Sequence, residues 1–174
     1  MINTDIKNID EVNAASENKP HFINGIWNCE INKIETLLTQ KSQKEAIKIQ
    51  FKGLDDAVKD ALCNMWITKR DEGDKGYFFF EQNVQRLYVI ARDYFGVSEE
   101  RLKEEAESNW DLVVNIVNEI TRALGKKKKI AKSIPVKYFR EDKEGAFANV
   151  QWFPKKEDDE DDSDETYGGL NTEA

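Results

Sequence analysis

Two hydrophobic periods divide the chain. From Gly25 to Leu37 the residues alternate at first: Trp27, Cys29 and Ile31 share one parity, and Asn28, Glu30 and Asn32 the other. That is the period of a half-buried strand. A polar turn, Thr39 to Lys44, leads into a second strand in which Ile47, Ile49 and Phe51 alternate with Lys48, Gln50 and Lys52, ending at Gly53. Leu54 to Asp60 reads as a connector with room for one helical turn. Leu62 to Thr68 is a third strand, with Cys63, Met65 and Ile67 on one face and Leu62, Asn64, Trp66 and Thr68 on the other.

After a charged turn, Lys69 to Gly76, comes the aromatic run Tyr77-Phe78-Phe79-Phe80. It reads as the extension of a hairpin, and its rings either line a groove or anchor the following helix. The period then changes. Val84, Leu87, Tyr88, Ala91, Tyr94 and Phe95 recur at three and four residues, an amphipathic helix that Gly96 stops. Ser98 caps a short helix whose early acids, Glu99 and Glu100, suit its N-terminal dipole. Asn109 is the expected cap of a third, with the stripe Trp110, Val113, Val114, Val117 and Ile120, ending near Gly125. Strand character returns after Lys129, where Ile130, Ile134, Val136 and Tyr138 share a parity with Lys132 interrupting, and again from Ala146 to Phe153, where Ala148, Val150 and Trp152 share a face and Pro154 ends the strand.

Five short strands with helices between the third and fourth give the order of an OB-fold, a small five-stranded Greek-key barrel. The chain is therefore expected to be mainly β with a helical insert. A ferredoxin-like order needs a helix after the first strand, and none is visible there. The expected division is a flexible leader over 1–20, the barrel over 21–156 and a disordered acidic tail over 157–174.

Charge changes the picture. Glu157, Asp158, Asp159, Glu160, Asp161, Asp162, Asp164 and Glu165 put eight acids in nine residues. The formal net charge of −8 divides into −9 from Glu157 onward and +1 in residues 1–156. A near-neutral body with an anionic tail suggests a polyanion binder whose tail competes with the ligand or docks partners; the plainer reading is a solubilising tail.

An OB-fold binds oligonucleotides over strands two and three and the loops joining strands 1–2 and 4–5. Parity selects the outward side chains: Lys48, Gln50 and Lys52; Asn64, Trp66 and Thr68; Lys137 and Phe139; Phe147, Asn149 and Gln151. Cations that track phosphates, mixed with rings that stack on bases, are what a sequence-tolerant single-strand binder needs. Lys48, Lys52, Trp66, Lys137, Phe139 and Phe147 are the DNA-contact candidates on the sheet. Lys69 and Arg70 after strand three and the run Lys126, Lys127, Lys128 and Lys129 before strand four extend the cationic path, with Lys41 and Lys44 in the 1–2 loop. Trp66 stands out as a tryptophan on a polar face, though a covering helix would make it core.

Other chemistries have little support. His21 is the one histidine, and Cys29 and Cys63 form no C-x-x-C pair, so no metal site, cofactor or His-based triad is expected. The two cysteines are expected to be buried free thiols. No phosphate-cradling glycine motif is present, and the carboxylates concentrate in the tail and on helix faces. The chain is read as non-enzymatic. No apolar run approaches the ~20 residues a membrane span requires, and Met1 to Pro20 lacks an apolar signal core. A cytoplasmic location, that of the host cell if the source is viral, is the expectation, with no membrane partner.

The chain resembles the OB-fold single-stranded-DNA-binding proteins of phages and prophages. The matching pieces are Gly25 to Ile31, Ala46 to Lys52, the insert ending Ala123-Leu124-Gly125-Lys126-Lys127, the last strand Asn149 to Pro154, and the acidic C-terminus. The resemblance runs from about His21 onward and is one of order and pattern. It implies coating of single-stranded DNA in replication, recombination or repair, with the tail's acids recruiting a DNA polymerase, primase, helicase or recombinase. Homo-oligomerisation stays open. The tail departs from the family pattern by ending Gly168-Gly169-Leu170-Asn171-Thr172-Glu173-Ala174, without a terminal aromatic or large hydrophobic residue. The competing reading is a protein-interaction or inhibitor module whose acidic tail mimics nucleic acid.

Overall fold

The structure is a computed structural model that describes residues 20–41, 43–126 and 132–155. The leader to residue 19, Lys127 to Ile130 and the acidic tail lie outside the described residues.

Three strands follow the alternation closely: β1 is Gly25–Leu38, β2 Glu45–Gly53 and β3 Leu62–Thr68, with a single 3-10 turn at Asp56–Val58 between β2 and β3. Ile47, Ile49 and Phe51 of β2 are fully buried, as β-branched and aromatic residues on the inner face of a barrel should be. β1 carries one irregularity. Ile31 faces Phe51 and Lys33 faces Gln50, so Asn32 is an inserted bulge residue, and its side-chain amide donates to Gln50 Oε1 at 2.6 Å. The bulge shifts the inward parity, so Ile31 and Ile34, three residues apart, are both buried.

The insert holds three helices: α1 (Tyr77–Val89, continued by a π turn over Ile90–Tyr94), α2 (Glu99–Lys103) and α3 (Asn109–Gly125). The aromatic run does not extend a hairpin. Tyr77, Phe80, Val84, Leu87 and Ala91 form one unbroken stripe at three- and four-residue spacing, so the helix begins at Tyr77. Ser98 caps α2 as expected, its hydroxyl accepting from Arg101 N. The cap of α3 is Ser108, one residue ahead of Asn109, accepting from Asp111 N at 3.1 Å. Val113, Ile116, Val117 and Ile120 bury the inner face of α3 in the common core with β1, and the Thr121 hydroxyl donates to Ile34 O at 3.3 Å.

The chain returns through β4 (Ile134–Phe139) and β5 (Asn149–Trp152). β5 starts three residues later than its alternation suggests. Ala146 to Ala148 lie outside the ladder, whose first pair is Phe139 with Asn149.

The strand order is β3-β2-β1-β4-β5, every paired neighbour antiparallel. β3 and β5 at the two ends therefore run parallel to each other. They come together without a hydrogen-bonded ladder, nearly closing the barrel. The Phe51 and Trp152 rings meet across the interior at 6.2 Å. This is the five-stranded barrel with helices between the third and fourth strands that the OB-fold order predicts.

Candidate nucleic-acid interface

The outer faces of β2 and β3 carry Lys48, Gln50, Lys52, Asn64 and Trp66 as expected, but Thr68, expected to face outward with them, is buried at the end of β3, where Ile67 is buried beside it. Lys48 pairs in register with Trp66, and its ammonium lies 5.3 Å from the centre of the indole ring. Trp66 is half-buried and is not sealed under a helix. Gln50 stands opposite Asn64.

The other predicted contacts fall into distinct groups. Lys52 sits between Glu30 and Asp60, each at 3.8 Å. Lys69 pairs with Glu45 at 2.9 Å and lies over the Trp110 ring. These two cations have neighbouring carboxylates to satisfy them. Lys137 is exposed on β4, opposite Ile26 and Gln151. Phe139 and Phe147, 47% and 78% exposed, share a recess at the β4–β5 connection with Glu141 and Glu144. Lys126 ends α3 beside Arg122 and Glu119, in a separate depression. The tail acids and Lys127 to Lys129 lie outside the described residues.

Trp66 and Arg70 are brought together in a groove that follows the seam where β3 and β5 meet without a ladder. The first turn of α1 forms its other wall. The groove has a volume of about 370 Å³. Among the described residues, its lining holds three cations, Arg70, Arg86 and Lys155, and no carboxylate. Its rings include Trp66, Phe78, Phe79 and Phe153.

Local sequence explains this wall. Gly76, at φ 89°, turns the chain into α1. Helical spacing then sends Phe80 inward, where it stacks on Trp110 at 6.3 Å, and leaves Phe78 65% exposed. Phe79 meets Phe78 edge-on at 5.3 Å. One turn later, Asn83 joins helix to barrel, its Oδ1 accepting from Trp152 Nε1 at 2.8 Å. Arg86 donates to the same oxygen at 3.4 Å and lies 5.9 Å from the centre of the Phe153 ring. Burial pulls the Arg86 guanidinium below its ordinary pKa, yet an arginine stays charged.

Phe153 has a φ of 47°, the left-handed region, which costs a residue with a Cβ roughly 1–2 kcal/mol. Its N–H donates to Pro135 O at 2.8 Å, which holds the turn. Among the described residues, no ion pair engages Lys48, Arg70, Arg86 or Lys137.

Sequence reasoning missed Arg86, Phe153 and Lys155 as residues of this wall, and left Phe78 and Phe79 open between lining a groove and anchoring the helix. The aromatic run was the one available signal, and it serves both of the purposes weighed for it: Phe80 anchors, while Phe78 and Phe79 line the groove. Among the described residues, no group of three or more His, Cys, Asp or Glu side chains converges as a metal site would require, and no helix is long and apolar enough to cross a membrane.

None of the protein-family models, curated proteins or solved structures compared with the chain matches it. What the structure shows is the OB-fold-like barrel architecture.

Proposed function

We propose that the protein binds single-stranded DNA without catalysing a reaction, coating it during phage replication, recombination or repair. The observation that carries this reading is the composition of the seam groove and the sheet beside it: rings and cations, with no carboxylate among the described residues of the lining. Single-strand binders combine a cationic path for the backbone with aromatic platforms for bases, each platform worth roughly 1–3 kcal/mol. Trp66, with Lys48 beside it, is such a platform at the centre of the surface that OB-folds use. Arg70 and Arg86 extend the cationic path beyond it.

The acidic tail belongs to the same reading. The chain passes through the groove lining at Lys155, and the acids begin at Glu157. A tethered polyanion so close in sequence competes with DNA for the same cations, and offers replication enzymes a docking segment.

The test is a fluorescence titration with oligo-dT and with duplex of equal length, across salt concentrations. Single strands should bind more tightly than duplex, with little sequence preference. The logarithm of affinity should fall with the logarithm of salt by ~0.7 for each phosphate neutralised. Equal or tighter duplex binding rejects the proposal.

A further inference from the structure

The seam groove has properties that a flat stacking platform does not need. Its lining includes Phe78 and Phe79 from α1 and Phe153 after β5, together with Trp66. Phe153 is held there by a left-handed backbone that a bulky side chain disfavours. Such an outlier persists only where the surrounding structure enforces it, and such residues cluster at ligand sites. Arg86 lies beside that ring, half-buried, with an amide oxygen as its hydrogen-bond partner and no ion-pair partner among the described residues.

A partly buried guanidinium without a carboxylate, next to a ring, suits a planar anionic ligand: it stacks on π systems and forks onto phosphate oxygens. The whole groove, at about 370 Å³, is near the lower end of small-ligand clefts, which span roughly 300–1,000 Å³. A single nucleotide unit fits that scale and a duplex does not.

We propose that the groove holds a slot for one nucleotide, its base against rings drawn from Phe78, Phe79 and Phe153 and its phosphate on Arg86. The proposal rests on the single-strand reading. It adds that the strand leaves the sheet face at Trp66 and turns into the groove between α1 and the β3–β5 seam. Asn83 acts as a positioning residue, since it ties α1 to Trp152 and orients Arg86 at once.

The experiment uses the full chain with oligo-dT carrying one iododeoxyuridine, which cross-links to a stacked ring on irradiation, followed by peptide sequencing. Cross-links are expected in the peptide holding Phe78 and Phe79 or in the one holding Phe153. Phe153→Gly removes the ring and relieves the left-handed backbone, and is expected to stay folded and to bind oligo-dT about 5- to 100-fold more weakly. Arg86→Gln is expected to weaken binding and to lower the salt slope, with Arg86→Lys recovering part of the affinity; this pair decides the matter should Phe153→Gly unfold. Oligonucleotide binding with cross-links confined to other peptides, and unchanged affinity in the variants, overturns the slot and leaves the single-strand reading standing.

A titration with dTMP separates the two claims further. If the chain ignores oligo-dT yet binds dTMP in a manner lost with Arg86→Gln, the slot stands for free nucleotides and the single-strand reading falls. If neither ligand binds, both fall.

Discussion

Trp66 and Thr68 sit two positions apart on β3, and they separate binding from stability. Trp66 is half-buried, beside Lys48 and on the groove wall. Trp66→Ala should weaken oligo-dT binding by roughly 1–3 kcal/mol while the melting curve shows a folded barrel; normal binding by the folded variant would make Trp66 a bystander. Thr68 is 7% exposed, and its hydroxyl has no hydrogen-bond partner among the described residues. A buried polar atom in that state carries a desolvation cost with nothing in return. Thr68→Val keeps the shape and removes the hydroxyl, and should raise stability by about 1 kcal/mol in urea unfolding. A loss of stability would mean that the hydroxyl has a partner after all.

The cysteines make a third statement at this scale. Both are free and buried. Burial pushes the Cys29 thiol from its ordinary 9.0 up to about 12, with nearby Asp55 adding to the shift, and burial raises Cys63 as well. In the unfolded chain they ionise near pH 9, while in the barrel they remain neutral. The stability this brings is whole below the unfolded value and is lost as pH climbs from there through about 12. The urea midpoint should therefore fall above pH ~9, and Cys29→Ala combined with Cys63→Ala should make the fall shallower. Parallel pH profiles for the two proteins would contradict this origin.

At the scale of elements, the junction of β2 with the 3-10 turn is the tightest point. Gly53 N donates to Ala61 O at 2.9 Å and Gly53 O accepts from Asp60 N at 3.0 Å, so its backbone is pinned on both sides. A Cβ there would collide with the Val58 carbonyl and lie 2.8 Å from Val58 Cγ2. Neither the carbonyl nor the pinned strand can yield cheaply. Gly53→Ala should destabilise the barrel by roughly 1–3 kcal/mol, read as a lower urea midpoint with an unchanged slope.

Much of the element layout was legible because the signals are local. Ile47, Ile49 and Phe51 between lysines and glutamine admit one reading, and so does the α3 stripe. The bulge at Asn32 was not, because its effect appears only when a partner strand fixes the register. The start of α1 was obscured by four consecutive aromatic residues, which satisfy either period. The groove was the least legible feature. It exists because β3 and β5, distant in sequence, meet without a ladder, and nothing local to Arg86 or Phe153 announces that they will face one another. The pairing of Trp66 with Lys48 was legible by parity, since it depends on one pair of adjacent strands. Parity could not rank Lys52 and Lys69 below Arg70, because the carboxylates beside the first two come from other elements.

At the scale of the whole molecule, charge is arranged against itself. Residues 1–156 carry a formal +1 and the segment from Glu157 carries −9. In the proposed reading, the groove, whose described lining holds Arg70, Arg86 and Lys155 and no carboxylate, is the counter-surface for either a phosphate backbone or that segment. The segment has the advantage of attachment: its first acid is two residues beyond Lys155, so its effective concentration at the groove is high. Deleting Glu157 to Ala174 should then tighten oligo-dT binding at low salt. The gain should shrink as salt rises, because both attractions weaken together when the Debye length falls from ~30 Å at 0.01 M to ~10 Å at 0.1 M. Capture of replication enzymes should be lost by the same deletion, so that one truncation strengthens one activity and abolishes the other. Unchanged affinity of the truncated chain at low salt would leave the tail a solubilising or docking segment only. A truncated chain that still ignores single strands would instead favour the protein-interaction reading, in which the acids are the recognised element and the barrel carries them.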